Sequence, residues 1–318
     1  AIETVKAAKR AGADCIKLQT YTADTMTIDS RKSGFTIEGT IWNGKNLYAL
    51  YKEAYTPWEW QKELMQVAKE EGLVCFSSPF DATSVEFLET LNVPAYKIAS
   101  FEITDIPLIE LVASKGKPVI ISTGIAEQED IELALDACKR MGNSNIALLK
   151  CTSSYPAPIE EANMCMVKDL ADRYNVISGL SDHTMGSTVP IVATAFGAKI
   201  IEKHFILDRS IGGADASFSM DEVEFTNMVK AVREAERAVG VVNYTLTEKQ
   251  LKGKDFSRSL YVVEDIKAGD IISKKNIRSI RPGFGMHPKF YKLVLGQKAK
   301  IDLEKGTPLK MDMITKSN

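Results

Sequence analysis

The chain has 318 residues, 45% of them hydrophobic, enough for one large domain with its own core and a smaller one. Lysine and arginine number 40 against 42 acidic residues, so the net charge of -2 offers no electrostatic footprint for nucleic acid or an anionic membrane. No apolar run approaches the roughly 18 residues that a membrane-spanning helix requires.

The chain opens on a helical pattern, Ala1–Arg10, with no signal peptide, so the natural start is expected upstream. The first strand-like run is Cys15–Thr20. The amphipathic stretch Trp58–Glu71 leads into the second, Val74–Phe80. Ala95–Ser100 and Val119–Gly124 flank a helical segment, Ile106–Ser114. Glu129–Met141 precedes Ile146–Thr152, and Val176–Ser181 and Lys199–Phe205 complete the series before the helix Asp221–Gly240. Each run is apolar on both faces, as a strand covered by helices must be. Strands alternating with helices predict an α/β fold with a parallel sheet. Seven strands in a series that begins and ends on a helix fit a (β/α)8, or TIM, barrel lacking its first strand; an open doubly wound sheet is the alternative. Residues 1–240 form this domain. Residues 241–257 are polar and irregular and read as a linker. In 258–318, Asp265-Ile-Lys-Ala-Gly269 recurs as Asp302-Leu-Glu-Lys-Gly306, which predicts a small, mostly β domain with two similar halves.

The five cysteines, Cys15, Cys75, Cys138, Cys151 and Cys165, include no C-x-x-C pair and read as reduced, packed thiols of a cytoplasmic protein. In a parallel barrel the strand C-termini face the active site. All seven runs finish in polar residues: Lys17 to Thr20, Ser77 and Ser78, Lys97 to Glu102, Ser122 to Gly124, Cys151 to Tyr155, Ser181 to His183, and Glu202 to His204. Buried polar groups are costly without partners, so a ligand is expected there. His183 and His204 end consecutive strands, about 4.8 Å apart, and can reach one ion. Two imidazoles with the other positions left to oxygen suit Mn2+ first, with Co2+, Zn2+ or Mg2+ as alternatives. The third histidine, His287, sits in a loop beside Pro288 and is expected to be structural. Lys17, Lys97 and Lys117, with Ser122, Thr123, Ser153, Ser181 and the backbone near Gly124, can cradle a phosphate. A Schiff-base nucleophile, Lys97 or Lys17, is the competing chemistry.

Taken in order, the motifs K-x-Q-T, S-S-P-F, Y-K-I-A-S-x-E, S-T-G, K-C-T-S-x-Y-P, G-L-S-D-H and I-E-K-H-F resemble the sialic acid synthase superfamily along essentially the whole chain. The resemblance continues through Asp215 and Phe218-Ser219 into Arg281-Pro282-Gly283, which is similar to the antifreeze-like (SAF) domain of that superfamily. Tyr21 to Asp24, Ile41-Trp42, Leu47 to Tyr51, Thr56 to Trp60 and Gly285 to Tyr291 resemble its pseudaminic acid branch.

The resemblance implies that phosphoenolpyruvate binds through Lys17, Ser100, Lys117, Ser122, Ser153 and Ser181, and that His183 and His204 hold the metal. The metal acts as a Lewis acid on the open-chain aldehyde of an amino sugar. C3 of phosphoenolpyruvate attacks that aldehyde, water adds at C2, and phosphate leaves with C–O cleavage. The branch implies 2,4-diacetamido-2,4,6-trideoxy-altrose as acceptor, with neuraminic or legionaminic acid synthesis as the alternatives. Gln19, Tyr155, Glu202 and Asp215 match positions near the sugar. Lys17, Glu202 and Arg281 are the implied catalytic residues. Arg281 matches an arginine delivered to the partner subunit's site, which implies a domain-swapped homodimer. The superfamily's first strand carries an A-E-x-x-x-N-H segment with a proton-transferring glutamate, and a matching strand is expected upstream of Ala1. A Schiff-base aldolase and a non-catalytic sugar-binding protein are readings of other classes.

Overall fold

The computed structural model describes residues 1–315; residues 316–318, the end of the second predicted domain, lie outside the described residues. The chain divides into two compact units, Ala1–Gly240 and Val241–Asn318.

In the first unit the strands are β1 (Cys15–Thr20), β2 (Val74–Pro79), β3 (Tyr96–Ile98), β4 (Val119–Ser122), β5 (Ile146–Cys151), β6 (Ile177–Asp182) and β7 (Ile200–Lys203). They pair in sequence order, all in parallel, as one seven-stranded sheet with β1 and β7 at its edges. A right-handed helical crossover between successive neighbours gives this singly wound order. Several helices begin where a side chain satisfies their free amides. Asp81 accepts from the amides of Thr83 and Ser84 ahead of Ala82–Thr90, and Asp221 pairs with Glu224 in a capping box ahead of Glu222–Val239. Val85, Leu88, Ile109 and Leu170 on the helices meet Ile98, Ile121 and Leu148 of the strands, all at most 1% exposed. The sheet curls, because the last helix returns to the first. Arg10 of Ile2–Arg10 holds Glu222 through two hydrogen bonds of 2.9 and 2.8 Å, and Arg233 reaches Asp14 at 2.6 Å.

Within the expected linker, residues Glu248–Gly253 form a helix, started by a capping box between Thr247 and Gln250. Beyond it, β8 (Ser259–Val262) pairs antiparallel with β9 (Ile277–Ile280), and β10 (Lys298–Ala299) with β11 (Ile314–Thr315). The sequence repeat has a physical counterpart. Asp265 accepts from the amide of Lys305 at 2.7 Å, and Asp302 accepts from the amide of Ala268 at 2.9 Å. Each copy caps the turn of the other, over a core that includes Leu260, Ile266, Leu303 and Leu309.

Candidate active site

The strand register sets the floor of the site. Cys151 lies beside Ser181, and Ser181 beside Glu202, so the three stand level across β5, β6 and β7. Side chains alternate along a strand, so His183 and His204 project from the same face one step further on. Their ring centroids are 5.3 Å apart.

Each imidazole is held by one nitrogen. His183 Nδ1 lies 2.9 Å from the carbonyl of Thr152. A carbonyl only accepts, so Nδ1 carries the proton and Nε2 keeps its lone pair. His204 Nδ1 lies 3.3 Å from the Asp215 carboxylate, which can only accept from it. Burial, reinforced by His204, pushes His183 down to about 4, so its ring is neutral at ordinary pH. Tyr155 packs on His183 at 4.5 Å and Phe218 on His204 at 5.0 Å.

Below the histidines lies a charged and hydroxylated cradle. Lys97, 1% exposed, donates to Ser122 at 2.7 Å and to the carbonyl of Ile98 at 2.9 Å. Lys17 lies 3.5 Å and Lys97 4.0 Å from Glu202, which also accepts from Ser181 at 3.0 Å. Burial alone would raise the Glu202 carboxyl; the two lysines and Ser181 override it and hold it at about 2. Burial brings Lys97 down to about 8, against the pull of Glu202. Ser100 and Ser153 hydroxyls lie 2.5 Å apart. Gly124 is what lets the backbone approach this pair: a Cβ there would stand 2.1 Å from the Ser153 oxygen and 2.4 Å from that of Ser100.

The structure therefore gathers Lys17, Ser100, Ser122, Ser153, Tyr155, Ser181, His183, Glu202, His204 and Asp215 at one end of the sheet. Gln19 follows Lys17 by two residues on the same face of β1. Lys117 is a correction. It precedes β4, at the opposite end of the strand, where it pairs with Glu89 at 2.6 Å beneath the ring of Tyr96. Strand direction is the reason: Lys117 lies before the N-terminus of β4, away from the strand C-termini that face the site, and Lys97 fills the cationic role from β3. Arg281 directly follows β9 in the second unit and is exposed. His287 accepts from the amide of Lys289 at 3.0 Å and caps a short turn.

Three residues to which the sequence assigned no role belong here. Ser78, two residues beyond Phe76 on β2, has a buried hydroxyl without a hydrogen-bond partner, and so does one carboxylate oxygen of Glu102, Oε2. Burial pushes Glu102 up to about 7, against the pull of Lys97. A carboxyl two residues past a buried serine at a strand end was the available signal. Trp42 is the third: its ring lies 5.5 Å from that of Tyr155, although the two are far apart in sequence.

Residues 4–244 match the NeuB family, and residues 257–315 match the SAF domain. The chain is 48% identical to pseudaminic acid synthase of Campylobacter jejuni, over 98% of this chain and 90% of that protein. It is also 48% identical to pseudaminic acid synthase of Helicobacter pylori, over 99% of this chain and 93% of that protein. Among solved structures, N-acetylneuraminic acid (sialic acid) synthetase of Leptospira borgpetersenii aligns with a TM-score of 0.71 at 28% identity, over 79% of this chain and 83% of that one. With its barrel-type parallel sheet, its paired histidines and its lysine–serine cradle, the chain belongs to the NeuB family and carries a SAF domain after the sheet.

Proposed function

We propose that this chain is a pseudaminic acid synthase, joining phosphoenolpyruvate to 2,4-diacetamido-2,4,6-trideoxy-L-altrose to give pseudaminic acid and phosphate. The observation that carries the chemistry is one cup holding a histidine pair above two lysines and a serine cluster. The two 48% identical relatives support the choice of acceptor. Phosphate release from phosphoenolpyruvate with a panel of aldehydes tests it. The diacetamido trideoxy sugar should be the preferred acceptor; a preference for a neuraminic or legionaminic precursor would replace this assignment.

The histidines fit a divalent cation. Each offers Nε2 while Nδ1 is tied to a carbonyl or carboxylate, the arrangement usual for metal-ligating imidazoles. Among the described residues no group of three or more His, Cys, Asp or Glu side chains is placed to hold a metal. Water and substrate oxygens would therefore fill the other positions, which suits Mn2+, with Mg2+ or Co2+ as alternatives. When bound, such an ion polarises the aldehyde oxygen as a Lewis acid.

The protein's own groups do the rest. Lys17, Lys97, Ser122 and the Ser100–Ser153 pair hold the phosphate and carboxylate of phosphoenolpyruvate, with Ser78 as a further donor. Ionised Glu202 keeps the lysines aligned between its own carboxylate and the substrate's anions. The C2=C3 pair of electrons forms the bond from C3 to the aldehyde carbon, water bonds to C2, and the bond from C2 to the bridging oxygen breaks, its electron pair leaving on phosphate as the new C2 hydroxyl becomes the ketone. Of the two protons of that water, Glu102 carries one to the departing phosphate and the other ends on the former aldehyde oxygen. A charged hydrogen bond contributes about 1.5–3 kcal/mol. Lys97→Met should therefore raise the KM for phosphoenolpyruvate by about 10–100-fold, whereas Lys117→Met should leave it within about twofold. Equal effects from both would contradict the placement of Lys97.

As a base, Glu102 works ionised. With its carboxyl at about 7, kcat/KM should fall roughly tenfold per pH unit below that value and level off above it. Glu102→Gln should lower the rate by about 10²–10⁴ and remove that acid limb. A pH–rate profile of the variant that keeps the limb would assign it to another group.

Arg281 is proposed to serve the acceptor of a second copy in a homodimer. Mixing Arg281→Ala and His204→Ala chains should restore activity through one intact site per mixed dimer. Mixed dimers that form without recovery would count against it. A Schiff-base aldolase is the second reading, favoured by the lowered Lys97 amine. Borohydride would trap its imine on Lys97, and the metal-dependent condensation leaves none.

A further inference from the structure

The segment that carries Trp42 has no part in the steps above. Residues 36–46 fold back on themselves: Thr36 bridges Asn46, Ile37 donates its amide to the Lys45 carbonyl at 2.9 Å, and Gly44 donates to the Ile37 carbonyl at 2.8 Å. Trp42 stands near the tip of this hairpin. Its indole Nε1 donates to the carbonyl of Ala214 at 2.9 Å. The next residue is Asp215, which holds His204.

The indole meets Tyr155 at 5.5 Å and Phe218, edge-on, at 6.4 Å. Tyr155 and Phe218 in turn lie against His183 and His204. An unbroken aromatic wall thus runs from the hairpin tip to the imidazoles. Trp42 is half-buried, and the cleft of about 580 Å³ on its flank is lined by apolar Ile41 and Ala216 and by polar or charged Lys45, Glu53, Arg209 and Ser217. It borders open space rather than fills a core.

We propose that Trp42 is a specificity-determining residue that selects the deoxy end of the acceptor sugar. The inference rests on the synthase function proposed above and names the group that this wall reads. The indole's one donor is committed to Ala214, so the ring offers a substrate only apolar surface. A methyl group gains by leaving water against such a surface. A hydroxymethyl group pressed against the ring itself loses water that the ring cannot replace.

The test uses a minimal pair of acceptors: the 2,4-diacetamido-2,4,6-trideoxy sugar and the same sugar with a hydroxyl on C6. Steady-state kinetics are read for the wild type, Trp42→Ala and Trp42→Phe. The wild type should prefer the deoxy acceptor by about 10²-fold, the discrimination typical of an apolar pocket against an added hydroxyl. Trp42→Ala should cut that ratio to below about tenfold, with the KM for phosphoenolpyruvate unchanged. Trp42→Phe keeps an aromatic face without the Ala214 bond and should keep most of the ratio.

A Trp42→Ala enzyme with the wild-type ratio overturns the inference. So does one that loses both acceptors equally while its KM for phosphoenolpyruvate rises, which marks a merely structural residue. A Trp42→Phe ratio as low as that of Trp42→Ala would assign the effect to the Ala214 bond and overturn the wall. A wild type that ignores both sugars but turns over N-acetylmannosamine overturns the synthase assignment instead; Trp42 is then judged by the same ratio on that sugar and its 6-deoxy form.

Discussion

The His183→Ala enzyme is expected to lose at least about three orders of magnitude in kcat/KM, equivalent to about 4 kcal/mol at 1.36 kcal/mol per tenfold. The imidazole is neutral, because burial and His204 push it to about 4. Its Nε2 lone pair is free, because Nδ1 donates to the carbonyl of Thr152. Such a nitrogen has few uses other than ligation. The fold should survive, since the ring's polar contacts are the Thr152 carbonyl and the Cys151 sulfur and its other neighbours are the rings of Tyr155, His204 and Phe218. Two measurements separate the causes. Calorimetric titration with Mn2+ should show binding to the wild type and none to the variant. Phosphoenolpyruvate should still bind, because Lys17, Lys97 and the serines are untouched. Near-normal turnover of His183→Ala in the presence of a chelator would remove the metal from the proposed chemistry.

Lys203→Met is expected to destabilise the first unit by about 3–5 kcal/mol, the usual result of stranding one partner of a buried ion pair. Lys203 and Asp182 lie opposite one another in the β6–β7 register, with side chains 1% and 2% exposed and a contact of 2.9 Å. Lys203 also donates to the Thr184 carbonyl, and Asp182 accepts from the amide and hydroxyl of Thr184 at 2.9 and 3.1 Å. Strand alternation puts this pair on the face opposite Ser181 and Glu202. It therefore ties β6 to β7 directly behind the two histidines. At about 2–4 °C per kcal/mol for a unit of this size, the melting temperature should drop by roughly 6–20 °C. The double variant Asp182→Leu/Lys203→Met should recover most of the loss, because no unpaired charge remains. A single variant that melts within a degree of the wild type would show that the pair is not held in the buried state described.

Much of this was legible in the chain. The run Cys15–Thr20 is β1 residue for residue, and Trp58–Glu71 differs from its helix by one position. Such elements announce themselves because a strand covered on both faces needs a continuous apolar run, and a helix on the outside needs one apolar stripe. Both are local periodicities. The paired histidines were legible for the same reason: Ser181-x-His183 and Glu202-x-His204 place like residues at like positions on neighbouring strands. Lys117 shows where residue type misleads. A lysine next to a strand counts toward the site only at the C-terminal end, and Lys117 lies before Val119. Direction along the strand outranks proximity in sequence.

The remainder depended on tertiary structure. Glu102 ends a polar strand terminus like the others until burial brings its carboxyl up to about 7. Asp215 and Thr152 become partners of the two imidazoles only after loops from different strands converge. Trp42, Tyr155 and Phe218 share no spacing that periodicity could detect, yet they form one wall. The amino-acid sequence by itself determined the alternating elements and the polar strand ends, because these follow from backbone geometry and from which side chains water accepts. Which polar groups face one another, and how far each is removed from water, only the folded sheet decided, because electrostatic energy depends on distance and burial and neither is a property of a residue alone.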